Sequence, residues 1–303
     1  MINLEIYKCV ECNRGKIVRL NSTKLICKSC KKKYEYSSSL VSIAKKNFLK
    51  KQKWNAWDSK QVQLMGDSYY RRSIGKLPEK EASKSFAKVI LKKNILKKNQ
   101  VILDYGCATG HFYKSFKRIL PFDFKYYGID AVKDFLKLGE KAFKGNNNIN
   151  FIHGDVLNIP VKNKIFDLSS INLFHFFPDI YECLKEAKRV TKRYIIWRTP
   201  LADLNYYVKI YHQNNFSLKK RLNSKDERNE EYTINIFYNI NYLKKIFKSL
   251  NLKMIYFEKD KNFKSFDNTK IKGFQLGGTK TLNKYQIDGI MLMNWHYIIL
   301  KIM

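Results

Sequence analysis

Four of the six cysteines fall within the first thirty residues, as Cys9-x-x-Cys12 and Cys27-x-x-Cys30 with fourteen residues between them. A C-x-x-C turn aims two thiolates at one point, and two such turns on facing hairpins close a tetrahedral four-sulfur shell. The gap is one residue short of the roughly 15–20 of the usual template. The intervening "GKIVRLNSTKLI" reads as strand, polar turn, strand, the layout of a zinc ribbon. A closed shell leaves no position for a substrate, so a structural Zn2+ on Cys9, Cys12, Cys27 and Cys30 is expected, not a catalytic one. Two disulfides suit a reducing compartment poorly, and a redox pair needs only one C-x-x-C. Cys107 and Cys183 stand alone.

A second group of residues suits ligand binding. In "VILDYGCATGHF" (residues 101–112) an apolar run ends in Asp104 and enters a turn with Gly106 and Gly110. A dinucleotide turn needs G-x-G-x-x-G; starting from Gly106, Ala108 and His111 stand where the other glycines belong, so that match fails. What remains is an acid, two glycines and a helix start, which suits a smaller anion such as a carboxylate near the positive helix end. "YYGID" ends in Asp130, twenty residues past Gly110, where a carboxylate accepts from ribose hydroxyls. "HGD" places Asp155 to accept from an exocyclic amine. Carboxylate, ribose diol and adenine amine together describe S-adenosylmethionine.

The surrounding pattern supplies the elements that must hold these residues. From 99 to 200, short strand-like runs alternate with helical ones: "QVILDYG", "HFYKSFKRIL", "FKYYGID", "VKDFLKLGEKAF", "INFIHGDV", "FDLSSINLF", "DIYECLKEAKRV" and "RYIIWRTP". Such alternation implies βαβ units and an α/β, doubly wound, mostly parallel sheet. Residues 1–44 read as the ribbon, 45–98 as a helical connecting or lid segment, and 99–303 as the core, with its cofactor half at 99–200 and its substrate side at 201–303. Within 45–98, "EKEASKSFAKVILKKNIL" predicts a helix opening at Pro78 with Glu79 and Glu81 in its first turn; "WNAWDSKQVQLMGDSYYRRS" shows no clear period. Residues 201–303 carry a polar insert ("NNFSLKKRLNSKDERNEE"), a helix ("INYLKKIFKSLNL"), a strand ("KMIYFEKD"), a loop with Gly273, Gly277 and Gly278, and a final apolar run.

"VILDYGCATG", "YYGID", "FIHGDVLNIP", "FDLSSINLFHFFPD" and "LKEAKRVTKRYIIWRTP" follow one another as do the signature segments of the class I S-adenosylmethionine-dependent methyltransferases, which the chain resembles over about residues 99–200. The resemblance implies a Rossmann-like methyltransferase core. It implies that Asp104, Gly106 and Gly110, with Cys107, line the methionine end of the cofactor. Asp130 and Ala131 would then hold the ribose and Asp155 the adenine, while Val156 and the segment from Asn172 to His175 complete the pocket. Two departures stand out. Ala108 replaces a frequent Gly, and His175 lies one place before the family's commonest His. Methyl transfer needs alignment more than acid–base help; if a base is used, the candidates are His175 and His153, then Tyr69 and Tyr70, and each also reads as a packing residue.

The acceptor stays open at this level. A formal charge of +33 invites an RNA reading, and the ribbon lysines Lys24, Lys28, Lys31, Lys32 and Lys33 would suit a phosphate backbone. Bacterial ribosomal RNA guanine methyltransferases resemble this chain in placing a short cysteine ribbon before the same core. Yet only ten of the 59 basic residues are Arg, a profile that compositional drift toward Lys explains as well. "FYNINYLKKIFKSLNLKMIYFE" resembles the C-terminal part of methyltransferases acting on sugars, lipids and other metabolites, which favours a small-molecule, glycan or lipid-type acceptor. A third reading is a cofactor-binding scaffold without turnover. No run of eighteen apolar residues suggests a membrane span. "MINLEIYKCVEC" lacks the layout of a secretory signal, so a cytoplasmic location is expected.

Overall fold

The computed structural model describes residues 2–45, 60–177, 179–211, 232–261, 280–282, 285–288 and 291–303. The polar insert, the loop with Gly273, Gly277 and Gly278, and the start of the connecting segment lie outside the described residues.

β1 (Ile17–Arg19) and β2 (Lys24–Cys27) pair antiparallel. Their turn is closed by Asn21, whose Oδ1 accepts from the backbone N–H of Thr23 (3.0 Å) and Lys24 (2.8 Å). β3 (Lys33–Tyr36) and β4 (Leu40–Ser42) continue the ribbon, again antiparallel. Two helices follow, α1 (Lys60–Ser73) and α2 (Glu81–Lys93). α2 starts three residues later than Pro78 suggests. Glu79 is drawn away from the helix by α3 (His111–Ile119), where Arg118 donates to it through Nε (2.9 Å) and Nη2 (3.0 Å) and Ser115 through its hydroxyl. α1 had no legible period because, of its described side chains, only Met65 and Tyr69 carry the apolar face that packs on Ala108, Val132 and Phe135.

The alternating region forms as the pattern predicts. β5 (Val101–Tyr105), α3, β6 (Lys125–Asp130), α4 (Lys133–Ala142), β7 (Ile149–His153), β8 (Phe166–Ile171), α5 (Ile180–Val190) and β9 (Thr191–Ala202) follow one another. The strands lie in the order β7-β6-β5-β8-β9, all parallel. The chain winds outward from β5 to β7, then crosses over to β8. This switch opens a crevice at the carboxyl ends of β5 and β8, where open α/β sheets take their ligands.

After β9 come β10 (Tyr206–Tyr211), β11 (Tyr232–Asn239), α6 (Ile240–Ser249), β12 (Leu252–Lys259), the short β13 (Lys280–Leu282), β14 (Tyr285–Asp288) and β15 (Met291–Leu292), and β16 (Trp295–Ile302). β16 adds antiparallel to β9, and β12 antiparallel to β16, completing a mostly parallel sheet. One face is covered by α5 and α6, packed on Leu103, Ile129, Ile152 and Trp197. The other is covered by α2 and α3, whose Phe86, Ile90, Phe112 and Phe116 meet Ile102, Tyr126, Phe151 and Ile196. Fully buried side chains such as Phe86, Phe116 and Phe151 each stabilise the fold by about 1.5–3 kcal/mol.

The ribbon is not a detached module. β4 runs parallel to β7, with Leu40 opposite Phe151 and Ser42 opposite His153, so the ribbon extends the central sheet. It covers backbone groups that would otherwise form an open edge. Among the described residues, no helix is long and apolar enough to cross a membrane.

Candidate cofactor crevice and metal centre

β5 delivers Asp104 to the crevice with the side chain almost wholly buried. Its Oδ2 accepts from the Tyr126 hydroxyl, one strand away on β6. β6 ends in Asp130, also buried, whose Oδ2 accepts from the N–H of Ala108 (2.8 Å) and Oδ1 from that of Val132 (2.9 Å). Burial pushes the Asp104 carboxyl up to about 7 despite the Tyr126 hydrogen bond, and the neighbouring Asp130 charge adds to the rise. Asp130 is pushed up to about 6 by burial, partly offset by the backbone N–H groups it accepts from. Two acids are thus held at adjacent strand tips at a desolvation cost that the protein alone does not cancel.

Between them the loop takes left-handed backbone at Gly106 (φ +63°), Ala108 (φ +50°) and Gly110 (φ +73°). Ala108 bears a strain of about 1–2 kcal/mol there, offset by packing on Phe135 and Val132. The glycines serve the packing of the fold. A Cβ on Gly110 would lie 2.9 Å from the Phe151 ring, and one on Gly106 would lie 3.1 Å from Leu173. Gly110 caps α3 without a side-chain acceptor for its first-turn N–H groups.

The other expected residues divide. Cys107 packs inward, with its backbone N–H donated to Ile129 (3.1 Å), its carbonyl accepting from Gly110 (2.8 Å) and its thiol among core residues, its pKa raised by burial. Val156 belongs to the main core. Asp155 is half-buried at the tip of β7 and accepts from Leu157 N–H (2.9 Å). Asn172 stands just past β8 and accepts from Nη1 of Arg198 (3.4 Å). His175 is buried, with its ring 3.9 Å from that of Phe176 and edge-on to Trp295 at 5.0 Å. Burial, and then the Arg198 charge, lower it to about 3. Tyr69 reaches the glycine loop and stacks on His111 at 4.8 Å, whereas Tyr70 faces Lys141 of α4. The two tyrosines do not act together.

Sequence reasoning missed His111. It is buried at the first position of α3, and neither ring nitrogen meets a hydrogen-bond partner. Burial, then Lys80 and Arg72, depress its pKa. The only sequence signal was its place directly after Gly110.

The four ribbon thiols converge within 4.8 Å of one another. Cys9 and Cys30 sulfurs lie 3.5 Å apart, and those of Cys12 and Cys27 3.7 Å apart. A disulfide would need about 2.05 Å, whereas sulfurs about 2.3 Å from a tetrahedral ion stand about 3.8 Å apart. The donor set therefore fits a metal. Each C-x-x-C turn closes with a left-handed residue, Asn13 (φ +58°) or Lys31 (φ +60°), whose N–H returns to the carbonyl of Cys9 (2.9 Å) or Cys27 (3.0 Å). Backbone N–H groups of Arg14 and Gly15 lower the Cys12 thiol to about 6. The buried Tyr34 hydroxyl lies 3.0 Å from Cys9 Sγ, and a Cβ on Gly15 would collide with Cys27 Sγ.

Comparison with known proteins agrees with this geometry. Residues 102–194 match the family described as "Methyltransferase domain". The chain is 29% identical over 113 residues to the demethylmenaquinone methyltransferase of Staphylococcus saprophyticus, covering 37% of this chain and 48% of that protein. It is 31% identical over 108 residues to the enzyme of that name from Geobacillus stearothermophilus, covering 35% and 46%. The chain thus spans about half the length of the curated relatives it matches. Among solved structures it is similar to an S-adenosylmethionine-dependent methyltransferase from Clostridium acetobutylicum (TM-score 0.49, 15% identity, 80% of this chain and 98% of that one). The strand order, the paired acids and the glycine turn agree with the similarity of residues 102–194 to a methyltransferase domain.

Proposed function

We propose that the protein transfers a methyl group from S-adenosylmethionine to a small-molecule acceptor. One observation carries the reading: Asp104 and Asp130 are both buried at neighbouring strand tips and both raised toward neutrality. Such a costly pair marks a functional site, and hydroxyl donors and a nearby cation would complement it. When bound, the cofactor supplies a methyl group already activated on a sulfonium.

The chain's residues then have separable tasks. Asp130 accepts from ribose hydroxyls with the lone pairs its backbone contacts leave free, and Asp155 faces the adenine. Asp104 balances the positive end of the cofactor. His111, with Lys80 and Arg72 near enough to depress its pKa, makes the start of α3 suited to a carboxylate, and its unmatched ring nitrogens fit such a group. Asn172 and Leu173 close the crevice beside β8. His175 stays neutral and walls the acceptor side with Phe176 and Trp295, so it orients the acceptor and does not act as a strong base.

A small acceptor is supported by the name of the relatives, demethylmenaquinone methyltransferase, and by the aromatic walls around His175. None of these relatives is named for an RNA or a sugar, and neither acceptor gains support. The cysteine cluster holds a structural Zn2+, the ion that four thiolates in a tetrahedron favour. Four free thiols also suit a reducing compartment such as the cytoplasm.

The test is turnover of methyl-labelled S-adenosylmethionine with fractionated cell extract. Label is expected in the low-mass organic fraction, unaffected by ribonuclease. Label recovered only in ribonuclease-sensitive material would overturn the acceptor class.

A further inference from the structure

The ribbon meets the core through the β4–β7 edge and through an antiparallel bridge between Tyr7 and Val161, and the contacts at the first of these converge on the loop that follows Asp130. Ser42 Oγ on β4 lies 2.7 Å from His153 Nδ1 at the tip of β7. The same imidazole bonds to the backbone of Ala131, the residue after Asp130. Burial and Lys133 lower His153 to about 4, so the ring is neutral and carries one N–H. Since the bond to Ala131 raises the pKa, the ring donates to the carbonyl there, and Nδ1 is left to accept from the Ser42 hydroxyl.

Two further ties reach the same elements. Lys133, at the start of α4, pairs with Glu35 of β3. Glu140 in α4 accepts from the Ser39 N–H (2.9 Å) and from the hydroxyls of Ser37 and Ser38. The Ser37–Ser39 turn joins β3 to β4, and β3 begins three residues after Cys30. The β7 tip also returns to the acid, because the Gly154 N–H donates to the Asp130 carbonyl (3.2 Å). Among the described residues, none of the ribbon's strands pairs with β8, β9 or β16.

Resting on the methyltransferase reading above, we propose that His153 is a positioning residue for the cofactor. The Ala131 carbonyl sets its tautomer and Ser42 holds the ring through Nδ1, so it clamps the Asp130–Ala131 loop and the metal-folded ribbon completes the ribose side of the site. Ribbon integrity then governs cofactor affinity and leaves acceptor recognition alone.

The test uses two variants of equal shape, Ser42→Thr, which keeps the hydroxyl, and Ser42→Val, which removes it. Zinc content, circular dichroism and calorimetric titration with S-adenosylhomocysteine are read on the full chain. One hydrogen bond lost corresponds to about a three- to tenfold weaker Kd for Ser42→Val, with Ser42→Thr within about twofold of wild type and zinc unchanged in both. The KM for S-adenosylmethionine should rise in Ser42→Val while the acceptor KM stays constant. Equal affinity in the two folded variants would overturn the clamp and leave the methyltransferase reading intact. No binding by the wild type would overturn both. If Ser42→Val does not fold, Glu35→Gln severs the Lys133 tie from the exposed side, and unchanged S-adenosylhomocysteine affinity there would equally overturn the proposal.

Discussion

Arg198 and Asp260 form an ion pair sealed from water, with Nε donating to Oδ2 at 2.8 Å and side-chain exposures of 2% and 0%. The guanidinium carbon sits over the Trp295 ring, 4.0 Å from its centroid, and Ser85 donates to the other carboxylate oxygen at 3.2 Å. This pair ties α2, β9 and the residue after β12 together. Removing one partner leaves a buried charge uncompensated, so Asp260→Ala should cost about 3–5 kcal/mol in denaturant unfolding. Replacing both by apolar residues should recover most of that loss. A cost below about 1 kcal/mol for the single variant would mean that water reaches the site.

Gly110 stands at φ +73° with the Phe151 ring where a Cβ would go. Gly110→Ala combines left-handed strain of about 1–2 kcal/mol with a ring displacement. The variant should melt at least several degrees lower, and cofactor affinity should fall with it. An unchanged melting temperature would show that Phe151 yields freely.

Stability should depend on pH through the paired acids. Asp104 and Asp130 have folded values of about 7 and about 6, above the ordinary 3.8. The folded state therefore holds protons that the unfolded chain has released. Their contribution is fully present below about pH 4 and is lost as pH rises through about 6 and 7. Neutral His111, His153 and His175, lowered by burial, act in the opposite sense over part of this range, so the decline should appear in the difference between ligand-free wild type and Asp104→Asn in thermal melts. Bound S-adenosylmethionine, with its positive charge, favours the ionised acids, so its stabilising effect should grow over the same range. A wild-type-minus-Asp104→Asn difference that stays flat from pH 4 to 7 would contradict the burial of this pair.

Metal analysis of native protein should give about one equivalent of zinc. Tyr34→Phe removes the hydroxyl 3.0 Å from Cys9 Sγ and should weaken metal retention against a chelator by about ten- to a hundredfold. Cys27→Ser should lose the ion and the ribbon strands with it. Less than half an equivalent in the native protein would remove the metal from the account.

The parallel core was legible because apolar runs and helical periods alternate at short spacing, and because acids terminate three successive strands. The ribbon's first hairpin was legible from "GKIVRLNSTKLI" and its Asn21 turn. Its union with β7 was not, since Leu40 and Val41 are too short a run to specify a partner. α1 was hidden by its polar face, and the start of α2 was misread because Glu79 satisfies α3 instead of its own helix. Strand position pointed to Asp104, Asp130 and Asp155, which the structure brings to the ends of β5, β6 and β7. It also promoted Cys107, whose side chain turns to the core, and it overlooked His111, whose burial depends on Tyr69 arriving from a helix forty residues away.

The measurement that bears most directly on the whole account is calorimetric titration of the intact zinc-loaded protein with S-adenosylmethionine and S-adenosylhomocysteine. The account predicts saturable one-site binding of both, weakened at least about tenfold in Asp130→Asn through loss of charge-assisted hydrogen bonds. Absence of binding heat with either nucleoside at several temperatures, from a folded and metal-replete sample, would contradict it.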